Sequence, residues 1–238
     1  KWYSPFPQLQ FTERPDKAAS AILEGRIVVV VDTTPFVLIL PATLNSFLQA
    51  SEDYYNRWGI SSFIRVLRYI AMFLALCTPG LYIALTTFHP AMVPSSLIFS
   101  IAASRQGVPF YATVEVILME LAFELLREAG LRLPTAVGHT VGIVGGLIIG
   151  QAAVEANIAS PIVVIVVSIT AIASFSIPND SMVSAIRLCK YWIIFLSAIL
   201  GLYGFMLAMV TILIHLTGLK SFGIPYLSPF AFRGVNRG

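Results

Sequence analysis

Residues 69–88 run for twenty positions without a single charge, and few folds can accept such a segment. As a helix it spans about 30 Å, the thickness of a bilayer's hydrocarbon core. Only a helix satisfies its own backbone polar groups there. Pro79-Gly80 interrupts the run and implies a kink, which a helical bundle tolerates. Further apolar segments follow at 108–126, 135–154, 158–177 and 191–219. The last is long for one crossing and short for two. Composition agrees, with 57% hydrophobic and only 11% charged residues, where a soluble domain carries about 25% charged. Mean hydropathy is +0.83. A water-soluble domain of this size leaves about a quarter of its chain surface exposed, so lipid must cover the apolar remainder. The expected fold class is mainly α, a polytopic helical membrane protein with four to five membrane segments.

A small helix–hairpin–helix α/β module is expected before the spans. Pro15 suits a first helical turn and Gly25 a helix end. Residues 27–31 are a β-branched run, Asp32-Thr33-Thr34-Pro35 is a turn signal, and 36–40 form the returning strand. Residues 41–57 read as an amphipathic helix through Leu44, Phe47 and Leu48. A module of this size is too small to stand alone, so it packs on the membrane face or on a domain further upstream. The start at Lys1, without an initiator Met, reads as a fragment. The resulting division is 1–60 membrane-proximal module, 61–219 transmembrane domain and 220–238 C-terminal tail.

Lys and Arg placement sets orientation. Arg57, Arg65 and Arg68 before the first span put the N-terminal side in the cytoplasm. Arg105 lies between the first and second segments, Arg127 and Arg132 between the second and third, no Lys or Arg between the third and fourth, and Arg187 with Lys190 between the fourth and fifth, an alternation that fits five crossings. Lys220, Arg233 and Arg237 break that alternation. Either the tail lies outside or one segment is re-entrant.

Two patterns stand out inside the spans. Gly138, Gly142, Gly146 and Gly150 recur every four residues, with Gly145 beside them. Such a small-residue face lets another helix approach closely in lipid. It serves either packing within the chain, the commoner use, or a seam between subunits. Glu115, Glu120, Glu124 and Glu128 lie on an otherwise apolar segment. The last three share one helix face, and Arg127 stands three after Glu124. Charges at membrane depth are costly and face protein or water. They form either an acidic conduit for cations or a buried Glu–Arg network that fixes helix register. A Val/Ile-rich fourth segment could gate a pore by dewetting, although lipid contact is the commoner role.

Other classes find less support. No Walker loop, nucleophile elbow or Cys/His cluster at metal spacing is present, so no enzyme, cofactor or metal is expected. His89, His139 and His215 are far apart, and Cys77 and Cys189 read as small buried hydrophobes. A net charge of +3 is too small to argue for nucleic acid. A secondary transporter would show an internal repeat, and none is convincing.

The blocks FPQLQFTERPDKAASAILEGRI (6–27), VDTTPFVLILPATL (31–44) and SEDYYNRW (51–58) resemble the A subunit of the GerA-type spore germinant receptors. So do SFIRVLRY (62–69), PGLYIALTTFHP (79–90), MELAFELLREAGLRLP (119–134), IGQAAVEANIASPIVVIVVSITAIASF (149–175) and SFGIPYLSP (221–229). The resemblance covers nearly the whole chain in order. It implies a protein of the inner membrane of bacterial spores, working with a permease-like B subunit that binds the nutrient and a lipoprotein C subunit. It implies a homo-oligomer, a pentamer, forming a nutrient-gated channel for monovalent cations. It also implies a larger soluble region before the first block. The alternative is a non-conducting scaffold that passes the signal on. A ring channel needs close helix seams, a water-facing acidic surface and an apolar constriction. The second to fourth segments hold all three, with Glu120 and Glu124 expected on the water-facing surface.

Overall fold

The computed structural model describes residues 3–55, 57–131 and 135–229; for 51, 54, 131, 135–141, 143 and 144 it describes the backbone alone. Arg132, Arg233 and Arg237 lie outside the described residues, as does the side chain of His139. The chain divides into two compact units. One comprises Lys1–Phe73, Ser174–Cys189 and Met209–Gly238, the other Leu74–Ala173 and Lys190–Ala208.

In the first unit, strands β1 (Gln10–Thr12), β2 (Ile27–Val30) and β3 (Val37–Leu40) form an antiparallel sheet in the order β1-β3-β2. The expected hairpin is β2–β3, with Val30 opposite Val37 and Ile27 opposite Leu40. β1 was not expected, because three residues carry too little alternation to read. Helix α1 (Pro15–Leu23) begins on Pro15 and buries Ala18 and Ala21. Gly25 follows it at φ 78, where only glycine is relaxed.

The single helix expected over 41–57 is replaced by two short pieces. Helix α2 (Leu44–Leu48) stops at Gln49, whose backbone is extended, and a 3-10 turn covers Ser51–Tyr54. The Asp53 carboxylate takes the Ala50 N–H at 3.1 Å, a local side-chain bond that competes with helix continuation. The C-terminal segment belongs to the same unit. Strands β4 (Lys220–Ser221) and β5 (Ile224–Pro225) pair, and Tyr226 is fully buried beside Phe6 and Phe47, each ring 6.2 Å away. Ser221 Oγ donates to Gln8 O at 2.8 Å and accepts from Ala42 N at 3.1 Å.

Among the described residues, two helices are long and apolar enough to cross a membrane. The first is α3 (Trp58–Ile83), continued by a π turn over Ala84–Phe88. It starts well before residue 69 because Arg65 and Arg68 do not end the helix; their charge is met by Asp53. The second is α8 (Asp180–Thr217), capped by Asn179, whose side chain accepts from Met182 N at 3.1 Å. Its 38 residues are two helical stretches joined at Gly201, whose φ of 60 and ψ of −136 are not helical.

Between them lie α4 (Ser95–Ser104), α5 (Ala112–Leu131), α6 (Thr135–Glu155) and α7 (Pro161–Phe175). α4 was not expected. In the second unit, Tyr82, Val116, Met119, Val163, Val167 and Ile194 form a shared apolar core. The opposite face of α5 shows Val114, Leu118, Leu121 and Leu125 outward, and α7 shows Ile165, Ile169 and Ile172. These intervals are helical stripes. Contiguous apolar faces of this kind seek lipid or another protein rather than water.

Candidate functional site

The glutamates of α5 do not share one environment. Glu115 has no exposed surface. Arg105, just beyond α4, reaches one of its oxygens at 3.0 Å, and the other accepts the Ser160 N–H at 2.9 Å. Ser160 precedes the first residue of α7, so the carboxylate satisfies a donor that the helix cannot and sits favourably on its dipole. Arg105 also donates to Phe110 O at 3.2 Å. One buried charge thus ties together α5, the α4–α5 connection and the start of α7.

Glu120 lies farther along α5 and is 4% exposed. Lys190 of α8 is 7% exposed, and its Nζ stands 2.5 Å from Glu120 Oε2. The second oxygen, Oε1, is buried with no hydrogen-bond partner among the described residues. The ammonium also lies 5.3 Å from the centre of the Tyr191 ring, a cation–π distance. Beyond this point α5 becomes more open. Glu124 and Arg127 are half-buried, and Glu128 is exposed. Spacing alone placed Glu120, Glu124 and Glu128 on one face, and the fold grades that face from dry to wet.

Reading the basic residues as free topology markers missed two of them. Lys190 was placed just before a span starting at 191, but α8 begins at Asp180, so Lys190 lies within the helix and faces a carboxylate. Arg105 is likewise bound to Glu115. An early helix start would have revealed Lys190, since Asn179-Asp180 is a cap signal.

The glycine stripe on α6 also divides. A Cβ built on Gly145 would fall 2.6 Å from Leu126 Cδ1, and one on Gly146 would fall 3.4 Å from Phe123 Cε1, so both glycines face α5. On Gly150 it would fall 3.2 Å from Val164 Cγ1 of α7. A Cβ built on Gly142 would meet nothing within 4 Å among the described residues. Of Gly138 only the helical backbone is described.

A second charged knot belongs to the first unit. The buried Asp53 carboxylate receives Arg68 at 2.6 Å and Arg65 at 3.4 Å, and Arg68 also donates to Leu48 O at 3.1 Å. Burial pushes the Asp53 pKa up, but the bonds from Arg68 and the Ala50 N–H outweigh it and hold the group below its ordinary value. Cys77 and Cys189 are buried, and neither is in a disulfide. Among the described residues no His, Cys, Asp and Glu side chains converge as a metal site.

At the level of sequence, residues 1–236 match the family described as Bacillus/Clostridium GerA spore germination protein. The chain is 50% identical over 230 residues to spore germination protein A1 of Bacillus subtilis, covering 97% of this chain and 48% of that protein. It is 51% identical over 229 residues to spore germination protein KA of Bacillus subtilis, covering 96% and 42%. A further Bacillus subtilis relative, described as the uncharacterized membrane protein YfkQ, is 51% identical over 226 residues, covering 95% and 44%. The chain thus spans less than half the length of these relatives. No solved structure matches it.

Proposed function

The chain belongs to the GerA family of spore germination proteins, and we propose that it is the membrane part of an A-type subunit of a nutrient receptor in the inner membrane of bacterial spores. In this reading like subunits assemble, as a pentamer, into a channel for monovalent cations. A permease-like B subunit binds the nutrient, a lipoprotein C subunit completes the receptor, and cation release triggers germination. Four or five crossings, α5 and α6 among them, would place the second unit in the bilayer.

The observation that carries the proposal is the graded acidic face of α5. Glu115 and Glu120 are buried and paired with Arg105 and Lys190, and exposure rises along the helix through Glu124, half-buried, to Glu128, exposed. Charges at membrane depth are retained where they face protein or a hydrated path, and a ring of the outer two would attract cations. Gly142, open on α6, offers a close-approach seam. The second reading, a scaffold that does not conduct, is favoured by the internal neutralisation of Glu115 and Glu120, because register-fixing pairs need no conduit.

Potassium efflux from liposomes decides between them. The full-length A subunit with its partner subunits is reconstituted, and nutrient is added. Efflux that falls in Glu124→Gln and Glu128→Gln supports a channel lined by the end of α5. Efflux indifferent to both moves the path off α5. No efflux from folded, oligomeric receptor leaves the scaffold.

A further inference from the structure

The Glu120–Lys190 pair has a cost that packing does not explain. Both groups are withdrawn from solvent, and each loses hydration that their attraction repays only when every polar site is satisfied. Here one carboxylate oxygen has no partner among the described residues. Two apolar side chains would join α5 and α8 without that deficit. An apolar contact, however, opposes separation more strongly when water is admitted than it does in lipid. A buried ion pair does not: once water reaches it, both ions regain hydration and the unfilled Oε1 gains a donor. The pair therefore holds the dry arrangement and releases in a wet one.

The helix carrying Lys190 is already broken. Gly201, eleven positions after Lys190 on α8, has φ 60 and ψ −136, which is not helical. A Cβ there would lie 2.7 Å from Phe88 Cβ, so the Phe88 side chain fills the break. A helix with a break of this kind can re-orient as two rods rather than bending as one.

We propose that the Glu120–Lys190 ion pair is the resting-state latch of this subunit, holding α5 to α8 until gating admits water and parts them. The inference rests on the receptor reading above, but not on whether the subunit itself conducts. Its test uses spores carrying the full-length chain with Glu120→Gln, Lys190→Met, or the reversal Glu120→Lys with Lys190→Glu. Germination without nutrient is counted, together with the amount of subunit in the membrane.

If the pair is a latch, both single variants accumulate normally and germinate unprompted, on the order of 5- to 150-fold more often than wild type, the range of ordinary coupling between two states. The reversal returns the rate towards wild type. Single variants that accumulate and stay quiet overturn the proposal. So does a reversal no quieter than the singles. If both singles vanish from the membrane, the pair is a folding element and the latch falls. Failure of the conduction reading shows separately: wild-type receptor would pass no potassium in liposomes while the single variants still germinate unprompted.

Discussion

Asp53 sits within reach of the two arginines that open α3, and its removal tests how the first unit is tied to that helix. Asp53→Asn keeps the shape but leaves Arg68, only 12% exposed at its side chain, without its anion. Breaking one side of a buried pair costs about 3–5 kcal/mol, so the variant should melt at a clearly lower temperature in detergent. The pH dependence follows from the lowered pKa of Asp53. A carboxylate whose folded pKa is depressed stabilises fully above its unfolded pKa, and the contribution is lost as pH falls through the folded value. The gap between wild type and Asp53→Asn should therefore be complete at neutral pH and close on acidification below the ordinary value of 3.8. Equal gaps at pH 7 and pH 3 would refute the ion-pair account. At this scale, one half of each buried pair in the second unit was legible. Glu115 and Glu120 stood out because they interrupt an apolar segment. Lys190 and Arg105 did not, because a cation at the edge of a hydropathy window looks interfacial until the fold brings it to a distant partner.

Among the elements, α8 departs furthest from expectation. Hydropathy located an apolar run starting at 191, yet the helix starts at Asp180, because Asn179 caps it and polar residues do not prevent a helix as they prevent a span. The break at Gly201 was invisible, since no proline marks it and glycine is ordinary in membrane helices. The strand pair over 27–40 was legible from β-branched runs around a turn, whereas the helix expected at 41–57 lost its second half to the Asp53 turn. Gly201→Ala tests the break. Its φ of 60 and ψ of −136 suit glycine alone, and holding another residue in such a region costs about 1–3 kcal/mol. The new methyl would also meet Phe88. The variant should lose thermal stability in detergent, and Gly201→Ala with Phe88→Gly, which removes the Phe88 Cβ as well as the ring, should recover only the steric part relative to Phe88→Gly alone. Full recovery in the double variant would show that the backbone conformation carries no cost of its own.

For the whole molecule, the question is what covers the apolar faces left outward on α5 and α7, and the glycines of α6 give a way to ask it. The fourfold repeat was legible as a close-packing stripe, but spacing cannot say whose helix it meets. The fold assigns Gly145 and Gly146 to α5 and Gly150 to α7, and leaves Gly142 open. Leucine substitutions should therefore separate two effects. Gly145→Leu drives a side chain into Leu126, and overpacking of this kind costs about 1–3 kcal/mol, so the purified subunit should melt early whatever its assembly state. A Cβ on Gly142 meets nothing within 4 Å among the described residues, so Gly142→Leu should leave the melting of the isolated subunit unchanged. If a neighbouring copy approaches at Gly142, the same substitution should lower the proportion of oligomer seen by cross-linking or native mass spectrometry. An oligomer indifferent to Gly142→Leu would move the subunit contact to the leucine and isoleucine stripes of α5 and α7. An isolated subunit destabilised by Gly142→Leu would show instead that α6 packs more tightly within the chain than its open glycine indicates.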